Sequence, residues 1–195
     1  MGNYDDKEYP SSVFVKLPQN NAALRSVKLI ALLGNPGSLY QNNRHNVGRL
    51  FAESFHFSLQ WQQKFKGYYA QHEALHFLMP ETFMNLSGKS VGECAHFFKL
   101  QDNEILVVHD ELELPLGSAA FKEGGGLGGH NGLRSIRDCI GSNDFLRLRI
   151  GIGRPGGKKE PGADISAWVL SNFRSEDKPV LESVFQECSA ILFKS

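Results

Sequence analysis

One histidine, one aspartate and three asparagines stand in this 195-residue sequence where hydrolytic chemistry is open to them: His45, Asp110, Asn35, Asn85 and Asn131. His45 opens an amphipathic, helix-like run, VGRLFAESFHF. A helix N-terminus carries partial positive charge, which disfavours imidazolium and favours the neutral ring that a general base needs. For a lone histidine, packing at a helix start is the commoner explanation, and Asn35, Asn43 and Asn46 nearby weaken it. Asp110 ends the run EILVVHD, so it emerges from a buried strand. A carboxylate there can accept an imidazole N–H, fix the tautomer and raise the basicity of the ring. An N-cap or turn carboxylate before ELPLG is the competing reading. Asn85 and Asn131 each precede a helix-like run, where capping is the usual role. An amide can also donate and accept at once, and so hold a carbonyl or a water. Glu111 and Glu113 read as solvated.

These side chains need elements to position them, and the sequence supplies strand ends. GNPGSLYQNNRHNVG, residues 34 to 48, follows LIALL and reads as a strand closed by an Asn-Pro-Gly turn. PETFMNLSG, residues 80 to 88, follows HFLM. GGGLGGHNG, residues 124 to 132, places six glycines in nine residues before a helix-like run. Ordering glycine costs more backbone entropy than ordering any other residue, so the run implies that bare backbone is needed for a close, large or charged neighbour. In open α/β sheets, ligands bind beyond the carboxyl ends of the strands. Strand-like runs at LIALL, KGYYAQ, ALHFLM, EILVVHD, SAAFKE and FLRLRIGIG alternate with helical ones. This predicts a single-domain three-layer α/β/α sandwich around a mixed, mostly parallel twisted sheet. The domain is expected over residues 27–195, after a polar N-terminal extension, 1–26, that shows no lasting period.

Composition narrows the class. Formal net charge is zero, and no apolar run approaches the length of a membrane span. The N-terminus lacks the order of a signal peptide, so a cytoplasmic location is expected; the protein is also expected to be a monomer. Cys94, Cys139 and Cys188 are odd in number and widely spaced, which fits small buried residues better than a disulfide framework or zinc site. Charge is unevenly spread: residues 117 to 159 carry eight Lys or Arg against three acids. These are Lys122, Arg134, Arg137, Arg147, Arg149, Arg154, Lys158 and Lys159. Beside a glycine loop, such a strip suggests a phosphate-bearing partner.

Three motifs are incomplete. Gly124, Gly126 and Gly129 fit G-x-G-x-x-G, but the acid at the right distance, Asp144, precedes its strand instead of ending it. His72-Glu73-Ala74-Leu75-His76 matches the zinc-peptidase pattern H-E-x-x-H, which works only on a helix. Its surroundings suit a strand pair joined by a turn, and on one strand the two rings would stand too far apart for one ion. No G-x-S-x-G elbow is present, and no cysteine neighbours a histidine.

Taken together, LIALLGNPGSLYQNNRHNVG, PETFMNLSGKSV, ILVVHDELELPLGSAAFKEGGGLGGHNGLRSI and FLRLRIGIGRPG resemble, in order, the bacterial peptidyl-tRNA hydrolase family. The resemblance implies a metal- and cofactor-free enzyme that cleaves the ester between a peptide and tRNA on prematurely dropped-off peptidyl-tRNA. By the same resemblance His45 falls on the general base, Asp110 on its supporting carboxylate, and Asn35 on the residue that tells blocked from free aminoacyl ends. Tyr40, Phe83, Asn85 and Asn131 fall on tRNA-contacting positions, with both asparagines lining the cleft. Lys122 and Arg149 fall on basic positions offered to the tRNA phosphate backbone. Departures are Leu32 for a glycine, Asn43 for a threonine and Ala120 for a lysine, the last within the phosphate-binding part.

Overall fold

The computed structural model describes residues 13–18, 22–157 and 162–193. Lys158 and Lys159 of the basic strip lie outside the described residues, as do 1–12 and 19–21 of the expected extension.

Eight strands form one sheet in the order β1-β7-β8-β6-β2-β5-β4-β3. They are β1 (Phe14–Lys16), β2 (Leu29–Leu32), β3 (Gln62–Lys64), β4 (Gly67–His72), β5 (Leu75–Pro80), β6 (Ile105–Glu111), β7 (Ser118–Glu123) and β8 (Leu146–Gly151). The central strands β5, β2, β6 and β8 run parallel, while β4 and β3 on one side and β7 on the other are added antiparallel. β1 then pairs parallel with β7, from Phe14↔Ser118 to Lys16↔Ala120. Leu29, Ile30, Ala31 and Leu32 of β2 are all buried, as a strand covered on both faces requires.

Helices α1 (Ala22–Arg25), α2 (Val47–Ala52), α3 (Ser87–Phe98), α4 (Asn131–Ile140), α5 (Ile165–Val169) and α6 (Asp177–Leu192) complete the chain. Val47 and Phe51 of α2 and Leu181, Val184 and Phe185 of α6 pack with Leu106, Val108 and Leu148 on one face of the sheet. Val91 and Cys94 of α3 and Leu133 and Ile136 of α4 pack with Leu29, Ala31 and Val107 on the other. Each large apolar side chain fully buried in this way contributes roughly 1.5–3 kcal/mol, which makes the two cores a rigid floor for the strand ends.

The chain leaves β2 toward α2 on one face, and leaves β5 toward α3 on the opposite face. The carboxyl ends of β2 and β5, neighbours in the sheet, therefore flank a topological switch point, and β6 ends on the other side of β2. Gly48 lets α2 start directly over β2 and β6, because a Cβ there would lie 2.6 Å from the carbonyl oxygens of both Leu33 and Val108. Any larger residue would lift the turn that carries His45.

The HExxH stretch is a hairpin, as its surroundings suggested. His72 ends β4, Glu73 and Ala74 turn, and His76 lies in β5 opposite Gln71. The two histidines thus occupy different strands and opposite faces: His72 stacks on Phe57 at 4.1 Å and His76 on Phe98 at 3.9 Å. Among the cysteines, Cys94 and Cys188 are buried and their thiols are pushed up to about 12 by desolvation. Cys139 is exposed, against expectation, in the last turn of α4, where it lies beside Gly92 of α3.

Candidate active site

Three segments converge on the switch point through Asn35. The Asn35 N–H donates to Asn46 Oδ1 at 2.8 Å, and Asn46 Nδ2 donates back to the Asn35 carbonyl at 2.9 Å. The loop after β2 is thereby clipped to the one-turn helix Arg44–Asn46. Asn35 Oδ1 accepts the Met84 N–H at 2.8 Å, which adds the loop after β5. Asn35 and Asn46 are both buried, so each of these bonds is formed where water cannot substitute.

Arg44 fixes the same turn from the other side. Its guanidinium lies 4.0 Å above the Trp168 ring and reaches Ser171 Oγ at 2.8 Å and Asp177 Oδ2 at 3.3 Å. The segment from α5 to α6 is thus tied to the residue next to His45.

At the centre, Asp110 Oδ1 accepts two imidazole N–H groups, from His45 Nδ1 at 2.7 Å and from His130 Nε2 at 3.0 Å. Donation from Nδ1 leaves the lone pair of His45 on Nε2, the atom available to take a proton. His130 is held in one tautomer by its other nitrogen. Its Nδ1 caps α4 by accepting the N–H groups of Gly132 and Leu133 at 3.1 and 3.4 Å, so Nε2 must carry the proton. The ligating atoms of His45, Asp110 and His130 lie within 4.8 Å of one another, close enough for a metal ion. The capping role nevertheless commits His130 Nε2 to donation and leaves it no lone pair for an ion. Desolvation pushes the Asp110 carboxyl up, but His130 and His45 outweigh it and hold the group far below the usual carboxylate range. Asp110 stays charged. His109, 2% exposed, donates from Nδ1 to the Asp110 carbonyl oxygen at 2.7 Å. Desolvation, then the neighbouring His130, hold it well below the usual histidine value.

A cavity of about 570 Å³ opens above these groups. Asn35, Tyr40, His45, Phe83, Asn85, Asp110 and Asn131 all line it, which brings together seven of the nine site residues read from the sequence. The Tyr40 and Phe83 rings meet edge-on at 6.4 Å, and Phe83 is 55% exposed. Lys122 and Arg149 do not line the cavity. Lys122 runs beside the glycine loop, its Nζ 3.6 Å from where a Gly125 Cβ would stand, and Arg149 Nε donates to Glu111 Oε2 at 2.8 Å.

The structure corrects several readings. Glu111 is not solvated; it is largely buried and paired with Arg149, two residues along β8 from its ladder partner Gly151. Glu113 is the exposed member and pairs with Arg154. Arg147 leaves the basic surface strip, being 2% exposed. Neither Asn85 nor Asn131 caps a helix: Leu86 precedes α3 without a side-chain cap, and His130 caps α4. Both asparagines are exposed at the cleft instead.

A family model for peptidyl-tRNA hydrolase matches residues 29–194. The chain belongs to the peptidyl-tRNA hydrolase family. It is 44% identical over 183 residues to the peptidyl-tRNA hydrolase of Pasteurella multocida (strain Pm70), covering 88% of this chain and 92% of that protein. It is 49% identical over 156 residues to that of Coxiella burnetii (strain RSA 493 / Nine Mile phase I), covering 78% and 81%. The crystal structure of peptidyl-tRNA hydrolase from Acinetobacter baumannii superposes with a TM-score of 0.72 at 38% identity, covering 86% of this chain and 89% of that one. His130, which shares Asp110 with His45 in this peptidyl-tRNA hydrolase family site, escapes the sequence reading; a histidine directly after GGGLGG and before a helix is the available signal. No helix among the described residues is long and apolar enough to cross a membrane.

Proposed function

We propose that this protein hydrolyses the ester joining the C-terminal carboxyl of a peptide, or of an N-blocked amino acid, to the terminal ribose of tRNA. The observation that carries the reading is the 2.7 Å contact from His45 Nδ1 to a buried Asp110, which leaves His45 Nε2 with its lone pair at the cleft. In this mechanism Nε2 takes a proton from water as the water attacks the ester carbonyl, and Asp110 stabilises the imidazolium that forms. The exposed amides of Asn85 and Asn131 reach the cleft and supply N–H donors to the developing oxyanion. The proton returns from His45 to the departing ribose oxygen. An ester is already activated, so one base and good positioning suffice.

Asn35 gives the selectivity for blocked ends a physical form. Its Oδ1 is committed to Met84, so the side chain can offer only N–H donors. A peptide carbonyl satisfies such a donor, whereas a free α-ammonium is another donor and leaves both groups unpaired. Tyr40 and Phe83 offer aromatic surfaces to the unpaired bases of the acceptor end. Lys122 and Arg149 meet phosphates, Arg149 by sharing its guanidinium with Glu111. All of these groups come from one chain, which supports action as a monomer, and a tRNA substrate supports a cytosolic location.

The test is release of labelled peptide from N-acetyl-aminoacyl-tRNA, with and without chelator. Turnover unaffected by chelator supports the reading. Tight tRNA binding without turnover would make the protein an RNA-binding module and end it.

A further inference from the structure

Under the glycine loop lies a cationic group without a carboxylate. β8 alternates by face: Leu146, Leu148 and Ile150 enter the core shared with α6, while Arg147 and Arg149 stand between them. Arg149 finds Glu111. Arg147 has no ion pair among the described residues although it is 2% exposed. Its Nη1 donates to the Gly126 carbonyl at 3.0 Å and its Nη2 to the Gly124 carbonyl, while its Nε–H is buried without a partner. Burying a guanidinium in this way is expensive, and an apolar side chain of similar volume would ordinarily fill such a space at lower cost. What an apolar side chain lacks is a planar fork that can hold two backbone carbonyls at once.

The loop needs that hold. Gly124, Gly125, Gly128 and Gly129 have φ of +49°, +76°, +60° and +79°, a path that glycine alone follows without strain and that glycine does not itself rigidify. From outside, Asn143 Nδ2 donates to the Gly125 carbonyl at 3.2 Å, so the three successive carbonyls from Gly124 to Gly126 are all held. Leu127 follows as a buried core residue, and the His130 N–H donates to its carbonyl at 3.0 Å. The next side chains along the chain are His130, on Asp110, and Asn131, at the cleft.

We infer that Arg147 is a positioning residue: by holding Gly124 and Gly126 it sets the path of the glycine loop that delivers His130 to Asp110 and Asn131 to the cleft. Through His130 it also sets how the Asp110 carboxylate is shared between two imidazoles. The second consequence rests on the hydrolytic reading above, whereas the first is structural and can be read without substrate.

The experiment compares the full chain with Arg147→Met, Arg147→Lys and Asn143→Ala. It measures backbone hydrogen exchange at His130, Gly132 and Leu133, then kcat, KM and the pH–rate profile on N-acetyl-aminoacyl-tRNA. Arg147→Met should speed exchange at these three amides about tenfold or more, because the junction they protect loosens locally. It should lower kcat about tenfold with KM changed less than about threefold, as expected for misplaced catalytic groups in an intact cleft. The acid limb of the profile should move to higher pH, since an Asp110 released by His130 gives its whole charge to His45. Arg147→Lys keeps the charge but lacks the fork, so it should fall between Met and wild type. Asn143→Ala acts on the same loop from the exposed side and should shift exchange and kcat in the same direction by less. It decides the question if Arg147→Met does not fold. Unchanged exchange and unchanged kcat in the folded variants would overturn the inference. Absence of turnover in the wild-type protein would instead defeat the hydrolytic reading, with the exchange data still deciding whether Arg147 fixes the loop.

Discussion

His45 and His130 come from distant segments and meet on one oxygen of Asp110, at 2.7 and 3.0 Å. His72 and His76 are four residues apart in a pattern associated with zinc chemistry, and they share nothing. A two-residue turn sends them to opposite faces of a hairpin, where each ring lies flat on a phenylalanine. Tyr69 Oη occupies His76 Nδ1 at 2.8 Å, and burial followed by the charge of Lys64 lowers the pKa of His76. The comparison separates spacing from environment. In the proposed mechanism, histidines become a catalytic device where they share a buried charged acceptor and one nitrogen stays open to a cleft. Pattern spacing without that acceptor yields aromatic packing.

The strongest way to break this contrast is to remove the acceptor's charge while keeping its shape. In Asp110→Asn the amide oxygen can still accept both imidazole N–H groups, so the fold and substrate binding should persist. The imidazolium would lose its counter-charge, and kcat should fall about a hundredfold, roughly 2.7 kcal/mol of barrier. The acid limb of the pH–rate profile should also move to lower pH. A profile unmoved in the variant would separate Asp110 from His45.

Removing the second imidazole has a smaller and double effect. His130→Ala deletes the α4 cap, which should cost about 0.5–2 kcal/mol of stability in denaturant unfolding. It also frees Asp110 of one donor and loosens Asn131, so kcat should drop about tenfold by the same misplacement argument. Loss of stability with full activity would confine His130 to capping.

Asn35→Asp changes selectivity more than rate. The new carboxylate keeps an acceptor for Met84 and turns a negative oxygen to the cleft, where an ammonium is welcome. The ratio of hydrolysis rates on N-acetyl-aminoacyl-tRNA and free aminoacyl-tRNA should narrow by about tenfold, the value of one mispaired polar contact. An unchanged ratio would remove Asn35 from discrimination.

The smallest effect belongs to the hairpin. His72→Ala and His76→Ala each lose one ring stack, worth about 0.5–1.5 kcal/mol of stability beyond area burial, and should keep wild-type turnover. A chelator should change nothing. Activity lost in either variant and restored by zinc would reverse the contrast drawn above.

Much of this arrangement is legible in the sequence because local pattern and global fold agree. VVHD reads as a buried strand ending in a carboxylate, and Asp110 is found there. Apart from the three-residue β3, the alternation from LIALL onward gives the strands and helices in their observed order. β1 was not legible, since three residues cannot show a period and its partner β7 lies about a hundred residues downstream. Arg147 and Glu111 were misread for a related reason. Alternation in FLRLRIGIG marks a strand, but it does not tell which side chains will be roofed by a loop whose glycines carry no periodicity of their own. The capping alternative falls on Asn131 in the sequence, and no role falls on His130, because asparagine is the common N-cap type; only the contacts of His130 with Gly132, Leu133 and Asp110 assign it.

The most direct measurement is single-turnover release of labelled peptide from N-acetyl-aminoacyl-tRNA by wild-type protein and His45→Ala, with tRNA affinity measured alongside. His45 contributes a base and little core packing, so the variant should bind tRNA with nearly unchanged affinity and cleave two to four orders of magnitude more slowly, about 3–5 kcal/mol of barrier. A variant that retains more than about a tenth of the wild-type rate would contradict the account at its centre.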